Sequence, residues 1–365
     1  MRVLHICTEK SWRGGENQIR LFIEGSFRFG VVNFVAIPRS GRGYPKFLKI
    51  VETLGLSSSS AYSPVSIYQL VQFCKKNQIE VLDGQGSGGL SLALWVKKFL
   101  PHLKLITHRR VDDKVAQDWR SRRKYLNPAL NHTVAISQNI KKVLIECGFA
   151  PETVTVVPSA VDAEIYKNLD RKWSREKLIK QFSLPEDTFI IGCASALVKV
   201  KGHESLLNAF SEVLKSNPNI RLLLAGEGVY RPEIEAQVQR LGLEKSVTFL
   251  GHIDNVPEFL CGLDLMVMPS LVEGLGTIVL DSISSGTPVI GSRAGGIPEM
   301  IIHEKTGLNF EAGNAADLKI QLKRIIDDSA LRNQLLKNAQ DHIAQNFSLE
   351  NMVKGNIEVY KKVLS

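Results

Sequence analysis

Two carboxylates, Glu273 and Asp281, lie eight positions apart across a glycine-rich turn. An apolar run at residues 263–268 predicts a buried strand before the turn, and a helix is expected from about residue 277 to residue 285. Such a turn presents unpaired backbone N–H groups and the positive end of a helix dipole, which suit a phosphate group. Eight helical residues rise about 12 Å, roughly the span from the sugar to the ribose of a nucleotide-sugar. The spacing therefore predicts that the two carboxylates hold such a ligand at both ends.

The elements that must position these groups form two series in which short apolar runs alternate with amphipathic segments. The first series predicts strands at 3–7, 32–37, 81–82, 103–107 and 132–136, and helices at 15–29, 67–76 and 90–100. The second predicts strands at 188–193, 220–225, 247–250, 263–268 and 289–290, and helices at 204–214, 317–327 and 331–347. Strands and helices in alternation predict a mostly parallel sheet with helices on both faces. The expected fold class is therefore α/β, with two doubly wound sheets.

The length of 365 residues exceeds one comfortable hydrophobic core and suggests two domains. We expect a Rossmann-like domain at residues 1–165 and a second one at residues 166–348, with a last helix at 349–364 that packs onto the first domain. Open parallel sheets bind ligands outside the carboxyl ends of their strands, so two such sheets facing one another would form a cleft. The turns expected to line it are Gly14-Gly15, 84–89, 108–110, 199–202, 226–228 and the turn that begins at Glu273.

The composition is that of a water-soluble globular protein, with 44% hydrophobic and 23% charged residues. The five cysteines lie far apart without a C-x-x-C pair, which argues for a reducing compartment and against a structural zinc site. The apolar run near the N-terminus is too short for a signal peptide, and no stretch is long enough to cross a membrane. These features predict a cytoplasmic protein.

The net charge of +9 is concentrated in one stretch, residues 97–142, which carries 12 Lys and Arg against three acidic residues. A basic helix in its middle, carrying Trp119, Tyr125 and Leu126, would rest on an anionic surface such as the inner membrane. The alternative is an ordinary solvated helix face. Nucleic acid is a weaker prediction, because no aromatic stacking pattern or known nucleic-acid module accompanies the charge.

The spacing of Glu273 and Asp281 resembles the E-x7-E motif of the retaining family 4 glycosyltransferases, with Asp in place of the second Glu. The resemblance covers nearly the whole chain and is densest at residues 191–307. Further segments that are similar to motifs of this family are LVKVKGHESLLNAF (197–210), LLLAGEG (222–228), FLG (249–251), DLMVMPS (264–270), GTPVI (286–290), GGIPE (295–299), PSAVD (158–162) and WRGG (12–15). The resemblance implies the GT-B fold, in which two Rossmann-like domains face each other across a cleft.

The same resemblance implies retaining transfer of a sugar from a nucleoside-diphosphate-sugar to an envelope glycan or lipid-linked acceptor, as in bacterial lipopolysaccharide synthesis. Lys201 would bind the donor diphosphate, Glu273 the sugar hydroxyls, Asp281 the ribose, and His108 the transferred sugar. Lys201, Glu273 and His108 are thus the expected catalytic residues. The residues expected to bind the donor are Gly14, Gly15, Lys201, Gly226, Glu273, Gly274, Leu275, Gly276, Thr277 and Asp281.

The chemistry implied by this resemblance needs negative charge to be stabilised on the leaving diphosphate, which a fixed cation and a helix N-terminus can supply. No metal is then required, and the sequence has no Asp-x-Asp metal site. The expected donor is a UDP-sugar, with GDP- and ADP-sugars as alternatives, and no further cofactor is expected.

Two positions depart from the family pattern. Ala196 stands where an arginine is common, so diphosphate binding would rest on Lys201 alone or on Lys199, Arg293 or Arg13 in its place. Asp281 is one methylene shorter than Glu, so its ribose contact would be shifted or bridged by water.

Three alternatives remain at this point. A nucleotide-binding oxidoreductase would need a G-x-G-x-x-G turn after the first strand, which this chain lacks. A sugar-nucleotide epimerase of the same fold is closer, although no histidine-rich catalytic cleft is evident. The third is a catalytically weakened GT-B protein that binds a glycan or a partner.

Overall fold

Each half of the chain forms a sheet of parallel strands, as the alternation of apolar runs and amphipathic segments predicts. In a computed structural model that describes residues 1–12, 14–115 and 118–365, these residues form one sheet of seven strands and one of six. The first unit comprises residues 1–160 and 349–365, and the second comprises residues 161–348. The chain enters the second unit at Val161, which pairs with Ser348, rather than after residue 165.

The first unit carries the seven-stranded sheet, in the order β3-β2-β1-β4-β5-β6-β7, with every pairing parallel. Its elements in chain order are β1 (Arg2–Ile6), α1 (Gly14–Ser26), β2 (Val32–Pro38), α2 (Tyr44–Phe47), β3 (Thr53–Leu56), α3 (Pro64–Lys76), β4 (Val81–Gln85), α4 (Gly86–Phe99), β5 (Lys104–Arg109), α5 (Trp119–Tyr125), β6 (His132–Ala135), α6 (Gln138–Glu146) and β7 (Val154–Val156).

The second unit carries the six-stranded sheet, in the order β10-β9-β8-β11-β12-β13, and it is also parallel throughout. Its elements are α7 (Arg171–Gln181), β8 (Phe189–Ala194), α8 (His203–Leu214), β9 (Ile220–Ala225), α9 (Arg231–Arg240), β10 (Val247–Gly251), α10 (Val256–Cys261), β11 (Leu265–Met268), α11 (Ile278–Ser284), β12 (Val289–Ser292), α12 (Ile297–Met300), β13 (Leu308–Phe310), α13 (Ala315–Asp327) and α14 (Ser329–Asn346). The last helix, α15 (Leu349–Leu364), returns to the first unit.

Both sheets have apolar cores, because their strands are buried on both faces as parallel strands must be. In the second unit, the fully buried Ile191, Leu222 and Phe210 belong to one cluster that joins β8 and β9 to α8. In the first unit, Tyr360 of α15 is fully buried and its ring meets that of Phe22 edge-on, with the centroids 5.7 Å apart. Helix α15 is therefore a structural part of the first unit.

The predicted basic helix is present, but it exposes a different set of side chains from the one expected. Helix α5 spans Trp119–Tyr125. The side chain of Asp118, the residue before it, caps the helix by accepting hydrogen bonds from two backbone N–H groups. Trp119 is exposed, but the ring of Tyr125 is buried and Leu126 is partly buried. The expectation that all three side chains face an external surface is therefore wrong for Tyr125.

Among the described residues, no helix combines the length and the apolar character that spanning a membrane requires.

Candidate functional site

The strand order of the second sheet reverses between β8 and β11, and the loops after these strands carry Lys201 and Glu273. In open parallel sheets, ligands bind at such a reversal, outside the carboxyl ends of the strands. The fold thus places the two residues at the position where a ligand of this unit is expected.

Lys201 and Glu273 meet although they are 72 positions apart in the sequence. The Nζ atom of Lys201 donates a hydrogen bond to Oε2 of Glu273 at 2.5 Å. The same oxygen accepts a hydrogen bond from the hydroxyl of Ser270 at 3.2 Å. The side chains are 21% and 13% exposed, respectively, so the pair remains accessible to a ligand. Each charge therefore neutralises the other.

Gly202 explains how the loop of Lys201 reaches that of Glu273. It ends the 3-10 turn Lys199–Lys201 with a φ of +67°, and a Cβ there would lie 2.0 Å from the carbonyl oxygen of Pro269. The N–H of Leu271 donates to the carbonyl oxygen of Val200 at 2.8 Å. Only glycine permits both the left-handed conformation and this close approach of two backbones.

The turn after Glu273 presents backbone groups. Gly274 and Leu275 are buried, and Gly276 has a φ of +84°. Within the described part of the chain, the N–H groups of Gly276 and Thr277 donate to no backbone carbonyl. These two residues lie directly before α11. Like the first N–H groups of any helix, theirs are therefore available to an anion.

The expected geometry of the two carboxylates needs a correction. Helix α11 begins at Ile278, and Glu273 lies in the loop before it, so the eight residues from Glu273 to Asp281 do not form one continuous helix. The estimate of about 12 Å for a helical rise over eight residues therefore does not describe this pair.

Asp281 has a partner that the sequence did not indicate. The hydroxyl of Tyr166, in the 3-10 turn Ala163–Tyr166, donates to Oδ1 of Asp281 at 2.7 Å. Burial raises the pKa of Asp281 to about 6, although the hydrogen bond from Tyr166 acts in the opposite direction. Burial and the Asp281 carboxylate together raise the pKa of Tyr166, which therefore stays protonated. One oxygen of Asp281 is thus already engaged.

Gly226 lies in the turn that follows β9, beside the loop after β8. With a φ of +138°, it brings its backbone so close to Ser195 that a Cβ would lie 2.0 Å from the carbonyl oxygen of that residue. Its own N–H donates to the carbonyl oxygen of Gly251 at 2.7 Å. The glycine is therefore needed for packing of the turns, and its expected contact with a donor stays a prediction.

Three basic residues were considered as substitutes for the arginine that Ala196 replaces. Arg293 forms an ion pair with Glu311 at 2.7 Å. The side chain of Lys199 is exposed. Arg13 lies outside the described residues. Of the described pair, Lys199 is the one whose charge is not engaged in a described ion pair.

In the first unit, the strand order reverses between β1 and β4, and the residues expected to bind the donor follow β1. Gly14 and Gly15 form the start of α1. Gly14 is exposed, and a Cβ on Gly15 would lie 3.5 Å from Cδ of Arg110. The guanidinium of Arg110 in turn donates to Oε1 of Gln85 at 2.9 Å. The described part of the glycine loop thus lies against a cation.

His108 is held in a buried polar network. Its Nδ1 lies 2.9 Å from Oδ1 of Asp83, and its Nε2 lies 2.8 Å from Oδ1 of Asn356 on α15. The other carboxylate oxygen of Asp83 is contacted by Nδ1 of His5 at 2.9 Å and by the hydroxyl of Tyr360 at 3.0 Å. Both ring nitrogens of His108 therefore have partners within the first unit, and its contact with a transferred sugar stays a prediction.

Asp83 is the centre of this network and is fully buried. Burial alone would raise the pKa of its carboxyl, but His108 and His5 beside it hold that pKa well below its usual range. The carboxylate is therefore ionised and receives three hydrogen bonds, which is how a buried charge is accommodated.

Sequence reasoning missed this network and Tyr166. The predicted strand at residues 81–82 stopped before Asp83, because the apolar run ends there, whereas β4 continues to Gln85. A signal did exist in α15, where Asn356 and Tyr360 lie four residues apart on the otherwise apolar face of an amphipathic helix. Tyr166 had no comparable signal.

Within the described ranges, no group of three or more His, Cys, Asp or Glu side chains has an arrangement that could hold a metal ion.

Models of two protein families match the chain. Residues 14–165 match Glycosyltransferase Family 4, and residues 174–342 match Glycosyl transferases group 1. N-acetyl-alpha-D-glucosaminyl L-malate synthase of Bacillus anthracis is 30% identical over 245 residues, which are 65% of this chain and 64% of the relative. The lipopolysaccharide core biosynthesis glycosyltransferase LpsD of Rhizobium meliloti is 29% identical over 202 residues, 55% of this chain and 58% of the relative. In both cases the match spans less than two thirds of the relative's length.

Among solved structures, Alr3699/HepE of Anabaena in complex with UDP and glucose has a similar fold. Its TM-score is 0.86 at 20% sequence identity, with 99% of this chain and 100% of that chain covered. This similarity confirms the fold class expected from the sequence, and the two family models confirm the resemblance on which it was based. Over the two matched ranges, the chain belongs to the family 4 type of glycosyltransferases with the GT-B fold.

Proposed function

We propose that this chain transfers a sugar, with retention of anomeric configuration, from a nucleoside-diphosphate-sugar to an envelope glycan or a lipid-linked acceptor. The observation that carries the proposal is the ion pair of Lys201 and Glu273 at the strand-order reversal of the second sheet. It sets an ammonium group for a diphosphate next to a carboxylate for sugar hydroxyls, on loops that the backbone packing at Gly202 fixes.

The proposed reaction breaks the bond between the anomeric carbon and the β-phosphate oxygen, and the electron pair leaves with the nucleoside diphosphate. An acceptor hydroxyl forms the new bond to the anomeric carbon, on the face that the diphosphate leaves, and passes its proton to an oxygen of the leaving diphosphate. Lys201 and the N–H groups of Gly276 and Thr277 would stabilise the negative charge that develops on the leaving diphosphate. Glu273, released from Lys201 when the diphosphate binds, would accept hydrogen bonds from the sugar.

We propose that no metal ion takes part, because Lys201 and these N–H groups together can neutralise the diphosphate. The test is turnover in the presence of excess EDTA. Unchanged turnover agrees with the proposal, and a loss that Mg²⁺ or Mn²⁺ restores contradicts it.

The donor and acceptor classes take their support from similar proteins. HepE of Anabaena was solved with UDP and with UDP-glucose, so a UDP-sugar is the first donor to test, before GDP- and ADP-sugars. The name of the LpsD relative points to the lipopolysaccharide core as an acceptor class, and that of the synthase from Bacillus anthracis to L-malate, a small acid. An envelope glycan or a lipid-linked acceptor is the class that we propose.

The experiment is incubation of the purified chain with a panel of nucleotide-sugars, with measurement of the released nucleoside diphosphate. Release that an acceptor accelerates supports transfer, and the product anomer determined by NMR tests retention. A new sugar-nucleotide without release would instead identify an epimerase. Nucleotide binding without any turnover would identify a binding protein of the same fold.

A further inference from the structure

The first unit exposes a set of aromatic side chains that its core does not use. Tyr62, Tyr68, Phe99 and Trp119 are between 63% and 67% exposed, and Trp95 is 36% exposed. They come from three helices, α3, α4 and α5, and from the loop before α3, so several parts of the chain contribute to one surface. Large apolar groups exposed together on a folded protein indicate an interaction surface.

An apolar groove lies among these side chains, between α3 and α4. Its volume is about 350 Å3, and its lining includes Ile67, Tyr68, Val71, Trp95 and Phe99. Of the residues that the structure describes, no charged side chain lines this groove. A site of this composition can accept a hydrocarbon chain, but it offers a phosphate or a sugar few hydrogen-bonding groups.

A basic cavity of about 330 Å3 adjoins the groove and shares Tyr62 and Trp95 with it. Its cations are Lys98, Arg120, Arg123 and Lys124, and its described lining contains no carboxylate. Lys98 lies over the ring of Trp95, with Nζ 3.9 Å from the centroid, and Arg120 lies over the ring of Trp119 at 5.4 Å.

The positive charge of this cavity is compensated only in part by nearby acidic groups. In the described part of the chain, Lys98, Arg120 and Arg123 form no ion pair. Asp113 pairs with Arg109, whereas Asp118 caps α5 and acts electrostatically on Lys124. A partner with negative charge therefore complements this surface.

We propose that this aromatic and basic face, formed by Tyr62, Tyr68, Trp95, Phe99 and Trp119 with Lys98, Arg120, Arg123 and Lys124, docks onto the surface of an anionic phospholipid bilayer. An acyl chain of a lipid enters the groove between α3 and α4, while lipid phosphates meet the cations of the basic cavity. Tyrosine and tryptophan favour the boundary of headgroups and acyl chains, and clustered Lys and Arg favour anionic lipids.

The structure changes which residues belong to this surface. The sequence placed a membrane-facing surface within residues 97–142, as a basic helix. The groove instead depends on Tyr62, Tyr68 and Trp95, which precede that stretch, and the helix contributes Trp119 and its arginines. The inference does not depend on the proposed sugar transfer, because none of the donor-site residues takes part.

The test is sedimentation of the full chain with vesicles of phosphatidylglycerol and phosphatidylcholine, compared with phosphatidylcholine alone. We expect at least tenfold stronger binding to the anionic vesicles and a partial loss at high salt, because salt screens the charges but not the groove. The variant Lys98→Gln/Arg120→Gln/Arg123→Gln should lose most binding at low salt. The variant Tyr68→Ser/Phe99→Ser should lose the binding that persists at high salt.

Helix α7 provides a matched control, because it also exposes a tryptophan, Trp173, among lysines. The variant Lys172→Gln/Lys177→Gln/Lys180→Gln removes the same number of charges and should bind as the wild type does. All variants should retain the wild-type unfolding midpoint and the wild-type rate of donor hydrolysis, since the changed side chains are exposed.

Two results would overturn the proposal. One is equal loss of vesicle binding in the α7 variant and in the face variants, which would mean that only net charge matters. The other is vesicle binding that Tyr68→Ser/Phe99→Ser leaves intact while a soluble polyanion such as heparin competes fully, which would indicate a polyanion site instead.

Discussion

Lys201 and Glu273 form an ion pair that a bound diphosphate would have to open. An ammonium group bound to a carboxylate must be released when a diphosphate binds, so part of the binding free energy offsets the loss of the pair. Because the two side chains are only 21% and 13% exposed, that cost is greater than the roughly 0–1 kcal/mol of a solvent-exposed ion pair. The released Glu273 is then free to bind the sugar.

We predict that Lys201→Ala lowers kcat/KM about 10²- to 10³-fold, because one fixed donor to the developing negative charge is lost. Lys201→Arg should retain part of the activity, since it keeps the charge but changes the geometry. The measurement is steady-state release of nucleoside diphosphate.

Lys199→Ala is the comparison for this series: Lys199 is a candidate substitute for the arginine that Ala196 replaces, and its loss should cost less activity than the loss of Lys201. The substitution removes a lysine from the same 3-10 turn, but that side chain is exposed and has no contact with Glu273. Equal losses in the Lys199 and Lys201 variants would contradict a specific role of Lys201.

Asp281 gives a prediction about pH. Because burial raises its pKa to about 6, the carboxylate becomes protonated as the pH falls from 7 to 5 and then accepts hydrogen bonds less well. If it binds the ribose, nucleotide affinity should fall roughly tenfold over this range, the equivalent of one charge-assisted hydrogen bond. The measurement is the UDP dissociation constant of wild type divided by that of Asp281→Asn, since this ratio cancels the titration of the phosphate itself. A ratio that is constant with pH would exclude the ribose contact.

The raised pKa of Asp281 should lower nucleotide affinity at low pH but increase the stability of the fold there. The folded-state pKa of Asp281 lies above the ordinary carboxyl value, so the folded state binds the proton more tightly. The contribution of Asp281 to stability is therefore greatest below about pH 4 and decreases as the pH rises to about 6.

Most strands and many of the helices could be predicted because their hydrophobic patterns are local, although α6, α7 and α9 were not predicted. Three strands were not predicted, Thr53–Leu56, Val154–Val156 and Leu308–Phe310. Each is an edge strand of its sheet with only three or four residues. Such a segment is too short for a periodic pattern and is a strand only because its neighbour pairs with it.

The candidate site could be predicted in part for the same reason. Lys201 and Glu273 follow strand and turn patterns that are visible in the sequence, but their ion pair depends on which strands are neighbours. The hydrogen bond of Tyr166 to Asp281 spans 115 positions and depends on tertiary packing alone. The helix predicted from about residue 277 to residue 285 agrees with α11, but the estimate of the span from Glu273 to Asp281 counted the loop before that helix as helical.

We predict that Gly202→Ala destabilises the second unit by at least about 3 kcal/mol and weakens nucleotide binding. Alanine disfavours the left-handed conformation by about 1–2 kcal/mol, and its Cβ would also collide with the carbonyl oxygen of Pro269. The clash pushes the turn of Lys201 away from the loop of Glu273. The measurements are denaturant unfolding and nucleotide titration.

Gly242→Ala is the matched control. Gly242 has a φ of +66°, close to the +67° of Gly202, but a Cβ there would meet nothing within 4 Å. Its cost should therefore be the conformational part alone, about 1–2 kcal/mol, with wild-type nucleotide affinity. Equal effects of the two substitutions would show that the contact with Pro269 is unimportant.

The first unit is built from both ends of the chain. After the second unit, the chain returns to the first through α15. Asn356 and Tyr360 of this helix complete the network of His108 and Asp83. The C-terminal residues therefore contribute to the polar interior of a sheet built from the N-terminal part of the chain.

We predict that Tyr360→Phe destabilises the first unit by about 2 kcal/mol, because the buried Asp83 carboxylate loses a hydrogen bond that water cannot replace. The pKa of Asp83 lies below the ordinary value, so its contribution to stability is present above about pH 4 and is lost as the pH falls further. Hydrogen exchange resolved by peptide would locate the effect.

Tyr230→Phe is the comparison, because the hydroxyl of Tyr230 also donates to a carboxylate, that of Glu204, but at an exposed position in the second unit. It should change stability by less than about 0.5 kcal/mol. Faster exchange in both units after Tyr360→Phe would contradict a contribution confined to the first unit.

The most direct test of the central claim is nucleoside diphosphate release from a panel of UDP-, GDP- and ADP-sugars, with the wild type and Lys201→Ala measured side by side. We predict that the wild type cleaves at least one of these donors, that an acceptor accelerates the release, and that Lys201→Ala retains no more than about 1% of the rate. A correctly folded wild-type chain that neither binds a nucleoside diphosphate nor cleaves any nucleotide-sugar would contradict this claim.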